Sequence, residues 1–309
     1  MYDIRFPNLG IVLKNIKDGF TIFGFEIKFY GVIIALGFVL AFLVISKEAK
    51  RTGQSEDTYL DFMLWLIIPA ILGARLYYII FSWDSYFQKG KGFGKTLFDL
   101  IDIRSGGLAI YGGVIAGVIV AIVFAKKQKM KFSVLADTVT MGLLIGQIMG
   151  RWGNFFNREA FGDYTNSLFA MAIPTDYYVG KGTLTGMINS GIITSEMANH
   201  MQVYDGMQWI TVHPTFLYES VWNLILLIVI FIYRKHKKFG EIFLMYLWGY
   251  GLGRVWIEGL RSDSLMLPFF NMKVSQMIAA ICVLACSVLI VKKRMDTVKK
   301  QAPAGKKEQ

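Results

Sequence analysis

The chain has 309 residues, of which 54% are hydrophobic and 18% are charged, and its formal net charge is +11. This composition excludes a soluble domain with an ordinary polar surface. Apolar runs long enough to cross about 30 Å of hydrocarbon recur along the chain and predict an all-α polytopic membrane protein. The alternating pattern of lipid-facing strands, which would indicate a transmembrane barrel, is absent from the sequence.

Seven membrane spans are predicted, at about 28–46, 60–81, 108–125, 134–150, 215–233, 241–259 and 274–291. The first run lacks a small-residue cleavage site, so we expect it to remain as a span. The predicted organisation is an N-terminal external segment (1–27), four spans (28–150), an external segment (151–213), three spans (214–292) and a cytoplasmic basic tail (293–309). Polar turns and scattered apolar residues in 151–213 predict a small head domain. The tail from about Thr297 is typical of a disordered end.

Basic residues predict the orientation of the chain, since short cytoplasmic loops carry an excess of Lys and Arg. They follow every odd-numbered span: Lys47, Lys50 and Arg51; Lys126, Lys127, Lys129 and Lys131; Arg234, Lys235, Lys237 and Lys238; and Lys292, Lys293, Arg294, Lys299, Lys300, Lys306 and Lys307. The external loop 82–107 runs against this trend, with Lys89, Lys91, Lys95 and Arg104 partly balanced by Asp84, Asp99 and Asp102. The N-terminus is therefore predicted outside, and the net charge indicates contact with anionic lipid, not with nucleic acid.

The run from Gly150 to Gly162 is the most informative part of the chain. It reads Gly-Arg-Trp-Gly-Asn-Phe-Phe-Asn-Arg-Glu-Ala-Phe-Gly and stands where the fourth span leaves the membrane. A charge at the bilayer centre costs about 2.5–3.5 kcal/mol even on lenient insertion scales, so such a cluster favours a functional role. The alternative is a helix end whose arginine merely extends to the membrane interface. That role requires a single long cationic side chain and does not explain the two amides and the carboxylate.

Further polar residues are predicted at the same external membrane level: Tyr30, Arg75, Tyr111, His213, Tyr218, Glu219, Arg254, Glu258 and Arg261. Arg254, Glu258 and Arg261 are spaced i, i+4, i+7 and are expected on one helix face. The alternative to a functional role, of equal weight, is that Arg254 and Glu258 form a purely structural ion pair, because pairs at this spacing are common.

Several chemistries find no support in the sequence. Cys282 and Cys286 lie inside the seventh predicted span, where apolar packing is the expected role. No His-Glu-x-x-His site, Gly-x-Ser-x-Gly elbow or Gly-rich phosphate loop occurs. With three histidines and no evident carboxylate cluster for Mg²⁺, neither a metal centre nor phosphoryl transfer at phosphorus is favoured. Arginine-rich recognition of a phosphate at the outer leaflet remains.

These residues resemble the bacterial prolipoprotein diacylglyceryl transferases. The run Gly150–Gly162 fits the family signature Gly-Arg-x-Gly-Asn-Phe-x-Asn-x-Glu-x-x-Gly at every fixed position. Other matching features follow in order: Phe29-Tyr30-Gly31, Arg75, Gly106-Gly107, Tyr111-Gly112-Gly113, His213-Pro214, Tyr218-Glu219, Gly249-Tyr250-Gly251, Arg254, Glu258 and Arg261. The resemblance covers roughly residues 20–290.

The resemblance implies transfer of the diacylglyceryl group of phosphatidylglycerol to the thiol of the lipobox cysteine in a prolipoprotein signal peptide, with release of glycerol phosphate. It implies a bacterial plasma-membrane enzyme whose site opens near the outer leaflet and which needs no cofactor or metal. It also implies catalytic roles for Tyr30, Tyr111, Arg254 and Glu258, and substrate-binding roles for Arg151, Asn154, Glu159, Gly162, Arg75 and Arg261. For Gly162 the expected contribution is a backbone conformation.

One position departs from the family pattern, since many relatives have His-Gly-Gly where this chain has Tyr111-Gly112-Gly113. Tyrosine, with a reference pKa of about 10, is a poor base near neutrality. Either Tyr111 only bonds the headgroup, or the thiol proton goes to Tyr30, Glu159 or the phosphate.

Two other classes of function remain open at this point. A seven-span receptor or solute transporter would also gather polar residues at one level, but it is expected to continue them through the bundle. A different lipid-headgroup transferase acting at phosphorus is expected to depend on Mg²⁺ or Mn²⁺.

Overall fold

The computed structural model describes residues 2–87, 92–103, 106–181, 184–189, 191–236, 240–262, 264, 266 and 272–301. Its helices are α1 (Phe29–Arg51), α2 (Glu56–Phe81), α3 (Trp83–Tyr86), α4 (Phe93–Ile101), α5 (Ile110–Lys127), α6 (Phe132–Asn157), α7 (Leu184–Asn189), α8 (Ser195–Asn199), α9 (Thr215–Tyr233), α10 (Glu241–Leu260) and α11 (Val274–Gln301). Its strands are β1 (Tyr2–Phe6), β2 (Ile11–Ile16), β3 (Gly19–Ile22), β4 (Phe25–Lys28), β5 (Met171–Pro174), β6 (Gln202–Tyr204) and β7 (Met207–Val212).

The chain forms two compact units, and each is described by itself. One consists of Met1–Ala41 and Thr140–Gln309, and the other of Phe42–Val139. The first contains all seven strands together with α7 to α11. The second contains α2 to α5, with α2 packed along α5.

Among the described residues, six helices are long and apolar enough to cross a membrane: α1, α2, α5, α6, α9 and α11. The protein is therefore a polytopic membrane protein, as the composition predicted. The helix predicted at 241–259 forms as α10, but it is not one of the six. It carries Arg254 and Glu258 in its second half, which lowers its apolar character. A seventh span thus stays a prediction.

The expectation of an all-α fold is wrong, because the described residues also form two sheets. One has five strands in the order β2-β1-β5-β7-β6, and the other is the hairpin of β3 and β4. β1 pairs with β5 at Arg5 and Ala172, so the N-terminal segment and the segment after the signature belong to one sheet. The predicted division into separate segments 1–27 and 151–213 missed this, since long-range strand pairing leaves no local signal.

The five-stranded sheet packs against the end of α6. Ile4, Ile173 and Ile210 of the sheet share one hydrophobic core with Phe155 of α6 and with Phe216 of α9. Burial of each large apolar side chain contributes about 1.5–3 kcal/mol. The sheet therefore stabilises the position at which the signature run leaves its helix.

Two predicted regions differ from the structure or lie outside it. α11 continues to Gln301, past the predicted start of the tail at residue 293 and of disorder near Thr297. The helix keeps its backbone hydrogen bonds beyond the end of its apolar run. Seven basic residues used to predict the topology lie outside the described residues: Lys89, Lys91, Arg104, Lys237, Lys238, Lys306 and Lys307.

Candidate active site

The signature run folds back on itself at the end of α6. Arg151 and Asn154 lie one turn apart, and Nη1 of Arg151 donates to Oδ1 of Asn154 at 3.2 Å. Beyond the helix, the backbone N–H of Glu159 donates to the carbonyl of Asn154 at 3.1 Å. The carboxylate of Glu159 accepts from the side-chain amides of Asn154 at 3.0 Å and of Asn157 at 3.2 Å. The cation, the amides and the carboxylate therefore form one hydrogen-bonded cluster.

Two residues in the turn after α6 have left-handed backbone conformations, Arg158 at φ +49° and Ala160 at φ +56°. Such conformations are uncommon for residues other than glycine and persist where surrounding contacts enforce them. The buried guanidinium of Arg158 donates to the carbonyls of Tyr2 at 3.0 Å and Ile16 at 2.6 Å. The hydroxyl of Thr215 donates to the carbonyl of Ala160. These contacts hold the turn that carries Glu159.

Glu219 on α9 joins two arginines from different helices. Its carboxylate pairs with Nε of Arg151 on α6 and with Nη1 of Arg254 on α10. Nη2 of Arg254 pairs in turn with Glu258, four residues later on α10. Both carboxylates are buried, and buried charges are tolerated when they are paired. The result is an ionic network of two cations and two anions, formed by α6, α9 and α10.

Arg151 is the member of this network with donor capacity to spare. Its Nε and Nη1 are engaged, whereas the structure records no acceptor for its Nη2 within the described part of the chain. Both terminal nitrogens of Arg254 are paired with carboxylates. The side chain of Arg151 is also the more accessible of the two, at 22% against 15%. Arg151 is therefore the better placed to receive an anionic ligand.

Tyr30 lies against the signature helix. A Cβ atom built on Gly153 would lie 2.6 Å from Cδ2 of the Tyr30 ring, so the ring needs a glycine at this position. Arg151 and Glu159 are close enough to the phenol to interact with it electrostatically. The first turn of α1 thus contributes to the same cluster as the end of α6.

Gly162 connects the signature to two other elements. It forms an isolated β-bridge with Arg261, and its N–H donates to the carbonyl of His213 at 2.9 Å. A Cβ here would lie 2.7 Å from both the His213 Cβ and the Leu260 carbonyl oxygen. We expected a special backbone conformation, but Gly162 is not among the residues with positive φ. Close approach of neighbouring chain is the physical reason for the glycine.

The expectation that Arg261 shares a helix face with Arg254 and Glu258 is wrong. α10 ends at Leu260, and Arg261 is extended at φ −72° and ψ 141°. Helical spacing does not apply past the helix end, so the i+7 relationship is lost. The backbone bridge to Gly162 is what brings Arg261 to the site.

His213 and Tyr218 lie where the sheet meets α9. Nδ1 of His213 is 3.3 Å from the hydroxyl of Tyr218. Burial lowers the pKa of His213, against an opposing effect of Asp163. The imidazole is therefore neutral at pH 7 and can accept a hydrogen bond from the phenol.

Arg75, predicted to bind substrate, lies in the other compact unit, where its guanidinium contacts backbone. It donates to the carbonyls of Asp99 at 2.5 Å, Leu100 at 3.0 Å, and Gly106 and Gly107 at 2.9 Å each. The side chain is buried. These bonds attach the end of α4 and the loop before α5 to α2.

Tyr111 is the second residue of α5 in that same unit, and its side chain is 38% exposed. Its ring centroid is 6.2 Å from that of Tyr77 on α2. Gly112 directly follows Tyr111, and a Cβ on it would collide with the carbonyl of Gly73, so α2 and α5 meet there backbone to backbone. The expected position of Tyr111 at the same membrane level as Arg151 stays a prediction.

Metal ligands and cysteine thiols are the groups that metal-dependent or thiol chemistry would use. Within the described part of the chain, no group of three or more His, Cys, Asp or Glu side chains is placed to hold a metal ion. Both cysteines are free thiols in α11, Cys286 buried and Cys282 half-buried.

Glu219 is the residue that sequence reasoning undervalued. The sequence predicts Glu219 at the external membrane level without a role in the site, whereas in the structure it bridges Arg151 and Arg254. The available signal was a carboxylate at the fifth position of a 19-residue helix that has no other charged residue. Residues that pair between different helices have no fixed spacing in the sequence, so the partners of Glu219 could not be deduced.

Comparison with known proteins identifies the family. The model of the prolipoprotein diacylglyceryl transferase family matches residues 18–292. A protein of Finegoldia magna is 39% identical over 285 residues, covering 92% of this chain and 98% of its own length. Relatives from Clostridioides difficile and Bacillus mycoides are 35% and 38% identical, over 92% and 90% of this chain and 99% and 92% of their own lengths. All three are named phosphatidylglycerol–prolipoprotein diacylglyceryl transferase.

The chain belongs to the prolipoprotein diacylglyceryl transferase family. The resemblance predicted from the run Gly150–Gly162 is thereby confirmed. In this member of the diacylglyceryl transferases, the signature residues Arg151, Asn154 and Glu159 form one cluster with Tyr30, Arg254 and Glu258 through the contacts above. Arg75 and Tyr111 belong to the other compact unit.

Proposed function

We propose that this chain transfers the diacylglyceryl group of phosphatidylglycerol to the lipobox cysteine of a prolipoprotein signal peptide. Membership of the transferase family and relatives of that name over at least 90% of the chain support the activity. The observation that carries the site is the buried network of Arg151, Glu219, Arg254 and Glu258, in which Arg151 keeps an open donor.

The reaction exchanges one bond for another at a glyceryl carbon. The cysteine sulfur forms a C–S bond to the diacylglyceryl carbon that carries the phosphate, and that carbon's C–O bond breaks with both electrons going to the phosphate oxygen. The thiol proton is lost, and glycerol phosphate leaves. The substrate brings the nucleophile, so the enzyme needs no cysteine of its own. Its task is to stabilise the departing phosphate.

Arg151 is the first residue to contact that phosphate in this proposal. Its Nη2 is the open donor, and Glu219 holds the Nε side of the guanidinium. Arginine presents donors in a planar fork that suits a phosphate. Asn154 bonds both Arg151 and Glu159, so it positions the two on one side of the bound headgroup.

The charge of the network fits a ligand that becomes more negative. The formal charges of the two arginines and two glutamates sum to zero before the lipid binds. Phosphatidylglycerol brings a single negative charge, and the leaving phosphate gains a second as the C–O bond breaks. The open donor of Arg151 and the positive charge of Arg254 favour the state with more charge over the state with less, which lowers the barrier.

The thiol proton has three candidate acceptors in this proposal: Tyr30, Glu159 and the phosphate itself. Glu159 accepts hydrogen bonds from the side-chain amides of Asn154 and Asn157, which orient its carboxylate. Tyr30 lies within electrostatic reach of Glu159. A proton relay from the thiol through Tyr30 to Glu159 is consistent with this arrangement.

The membrane placement of the site is part of the proposal. We place seven spans across a bacterial cell membrane, with the N-terminus and the five-stranded sheet outside and the basic tail in the cytoplasm. Lys126 and Lys127 at the end of α5 support this orientation, because they close a candidate span with positive charge. The active site then lies near the outer headgroups, where both membrane-embedded substrates, the phospholipid and the signal peptide, are accessible.

The decisive experiment incubates purified protein in detergent with phosphatidylglycerol and a lipobox peptide in the presence of EDTA. Mass spectrometry is expected to show a gain of one diacylglyceryl group on the cysteine. A peptide with serine in place of that cysteine is the matched control and should gain nothing. No product, or product only after a metal is added, would refute the proposal.

A further inference from the structure

The hairpin of β3 and β4 is amphipathic. Its strands pair with each other and not with the five-stranded sheet. Directly opposed residues share a face in an antiparallel pair. Phe20 pairs with Ile27 and Ile22 with Phe25, so one face is wholly apolar. The opposed pairs on the other face are Thr21 with Glu26 and Gly19 with Lys28.

The apolar face and the tip are exposed. Phe23, at the tip, is 98% exposed, and Phe25 is 66% exposed. Phe20 and Ile22 are exposed as well. An apolar surface of this kind marks an interaction site when it is contiguous.

The turn itself indicates that an apolar tip is needed. Phe23 and Gly24 both have positive φ, +48° and +80°, as in the two-residue hairpin turn that favours Asn-Gly or Asp-Gly. A bulky aromatic residue is disfavoured in this conformation. Asparagine would fit the turn better in water, so phenylalanine at this tip points to an apolar environment.

The base of the hairpin is charged and joined to α1. Nζ of Lys28 pairs with Asp18 at 2.9 Å and with Glu26 at 2.6 Å. The N–H of Phe29, the first residue of α1, donates to the carbonyl of Asp18 at 2.8 Å. The Phe20 and Phe29 rings lie 5.5 Å apart. Because α1 is a candidate membrane span, the hairpin is held where that helix enters the bilayer.

We propose that the β3–β4 hairpin inserts its tip and apolar face into the leaflet that α1 enters, with Phe23 and Phe25 in contact with phospholipid acyl chains. Continuity with α1 favours lipid over a protein partner, and the polar face and charged base match the headgroup region above. The hairpin then attaches the first compact unit to the membrane in addition to its membrane-spanning helices. This inference rests on α1 as a span and is independent of the catalytic proposal.

The test places the photoreactive residue p-benzoylphenylalanine at Phe23 or Phe25 in the full chain, in nanodiscs that hold only the purified protein and phospholipid. Thr21, on the opposite face, and Val203, a 66% exposed residue on β6, are the matched control positions. After irradiation, intact-mass measurement is expected to show phospholipid adducts several-fold more abundant at 23 and 25 than at 21 and 203. The headgroup of the lipid should make no difference. Each variant must elute and melt as the wild type does.

A Phe23→Trp variant provides a second reading. Lipids brominated on their acyl chains are expected to quench the added emission relative to the wild type. Equal adduct yields at all four positions, cross-links within the chain or between copies at 23, or unquenched emission would overturn the proposal. Activity is not measured, so these outcomes are distinguishable from a failure of the transferase assignment.

Discussion

Arg151 on α6 and Glu219 on α9 form an ion pair in which Nε of the arginine faces Oε2 of the carboxylate. The pair engages Nε, and Nη2 has no recorded acceptor among the residues that the structure describes. An arginine can thus be neutralised by the protein and still donate to a ligand, which a point charge cannot do in the same geometry.

The first prediction follows from that geometry. Arg151→Lys keeps the positive charge but cannot pair with Glu219 and present a second planar donor, so kcat/KM with phosphatidylglycerol and a lipobox peptide should fall about a hundredfold or more. Arg5→Lys is the matched control, since Arg5 on β1 pairs with Asp205 in the turn between β6 and β7. Wild-type turnover in both Arg151→Lys and Arg151→Ala would contradict the phosphate role.

The second prediction concerns Glu219. Glu219→Gln keeps an acceptor but removes the charge shared by Arg151 and Arg254, and breaking a buried ion pair costs on the order of 3–5 kcal/mol. A clear fall in melting temperature in detergent is expected. Glu196→Gln is the control, because that carboxylate is 58% exposed and pairs with the neighbouring His200 on the surface. If the two variants melt alike, Glu219 is not an essential member of the network.

The third prediction compares two glycines of α6. Gly153→Ala would push its Cβ into the ring of Tyr30, and displacement of a catalytic group by about 1 Å costs on the order of a hundredfold in rate. Gly146→Ala meets nothing within 4 Å and should gain slightly in stability, because alanine favours helix more than glycine does. Activity assays of both variants decide the matter, and equal activities would remove Tyr30 from the site.

Much of this architecture could be predicted from local sequence patterns. The contacts between distant parts of the chain could not, because they leave no local signal. Apolar runs predicted the membrane helices, and the i, i+4 spacing predicted the contact of Arg254 with Glu258. The bridging role of Glu219 was not predictable, because its two partners come from helices far apart in sequence. β1 and β5 were missed for the same reason, since their pairing joins residues 5 and 172.

The fourth prediction separates two roles for Arg75. If it holds the loop before α5, as its four carbonyl contacts indicate, then Gly107→Ala should impair the protein in the same way as Arg75→Lys. Gly107 has φ +75°, and a Cβ there would collide with Nη1 of Arg75. Both variants are expected to lower the melting temperature and kcat, with little change in KM for phosphatidylglycerol.

The control for this pair is Gly92→Ala, because nothing lies within 4 Å of that position. Should Arg75→Lys raise KM alone while Gly107→Ala behaves as the wild type, direct binding of the phosphate by Arg75 would be the better account.

The last prediction concerns Tyr111, which stands where many relatives have histidine. We expect its hydroxyl to donate a hydrogen bond to the lipid headgroup or phosphate. Tyr111→Phe keeps the ring and removes only that donor, so a hundred- to a thousand-fold loss of kcat is the upper range for a well-placed group. An aromatic anchor at the membrane interface, the alternative role, would tolerate phenylalanine without loss. Tyr77→Phe, a change to the neighbouring ring on α2, serves as the control. Full activity in Tyr111→Phe, together with lower expression alone in Tyr111→Ala, would establish the anchor and end the catalytic assignment.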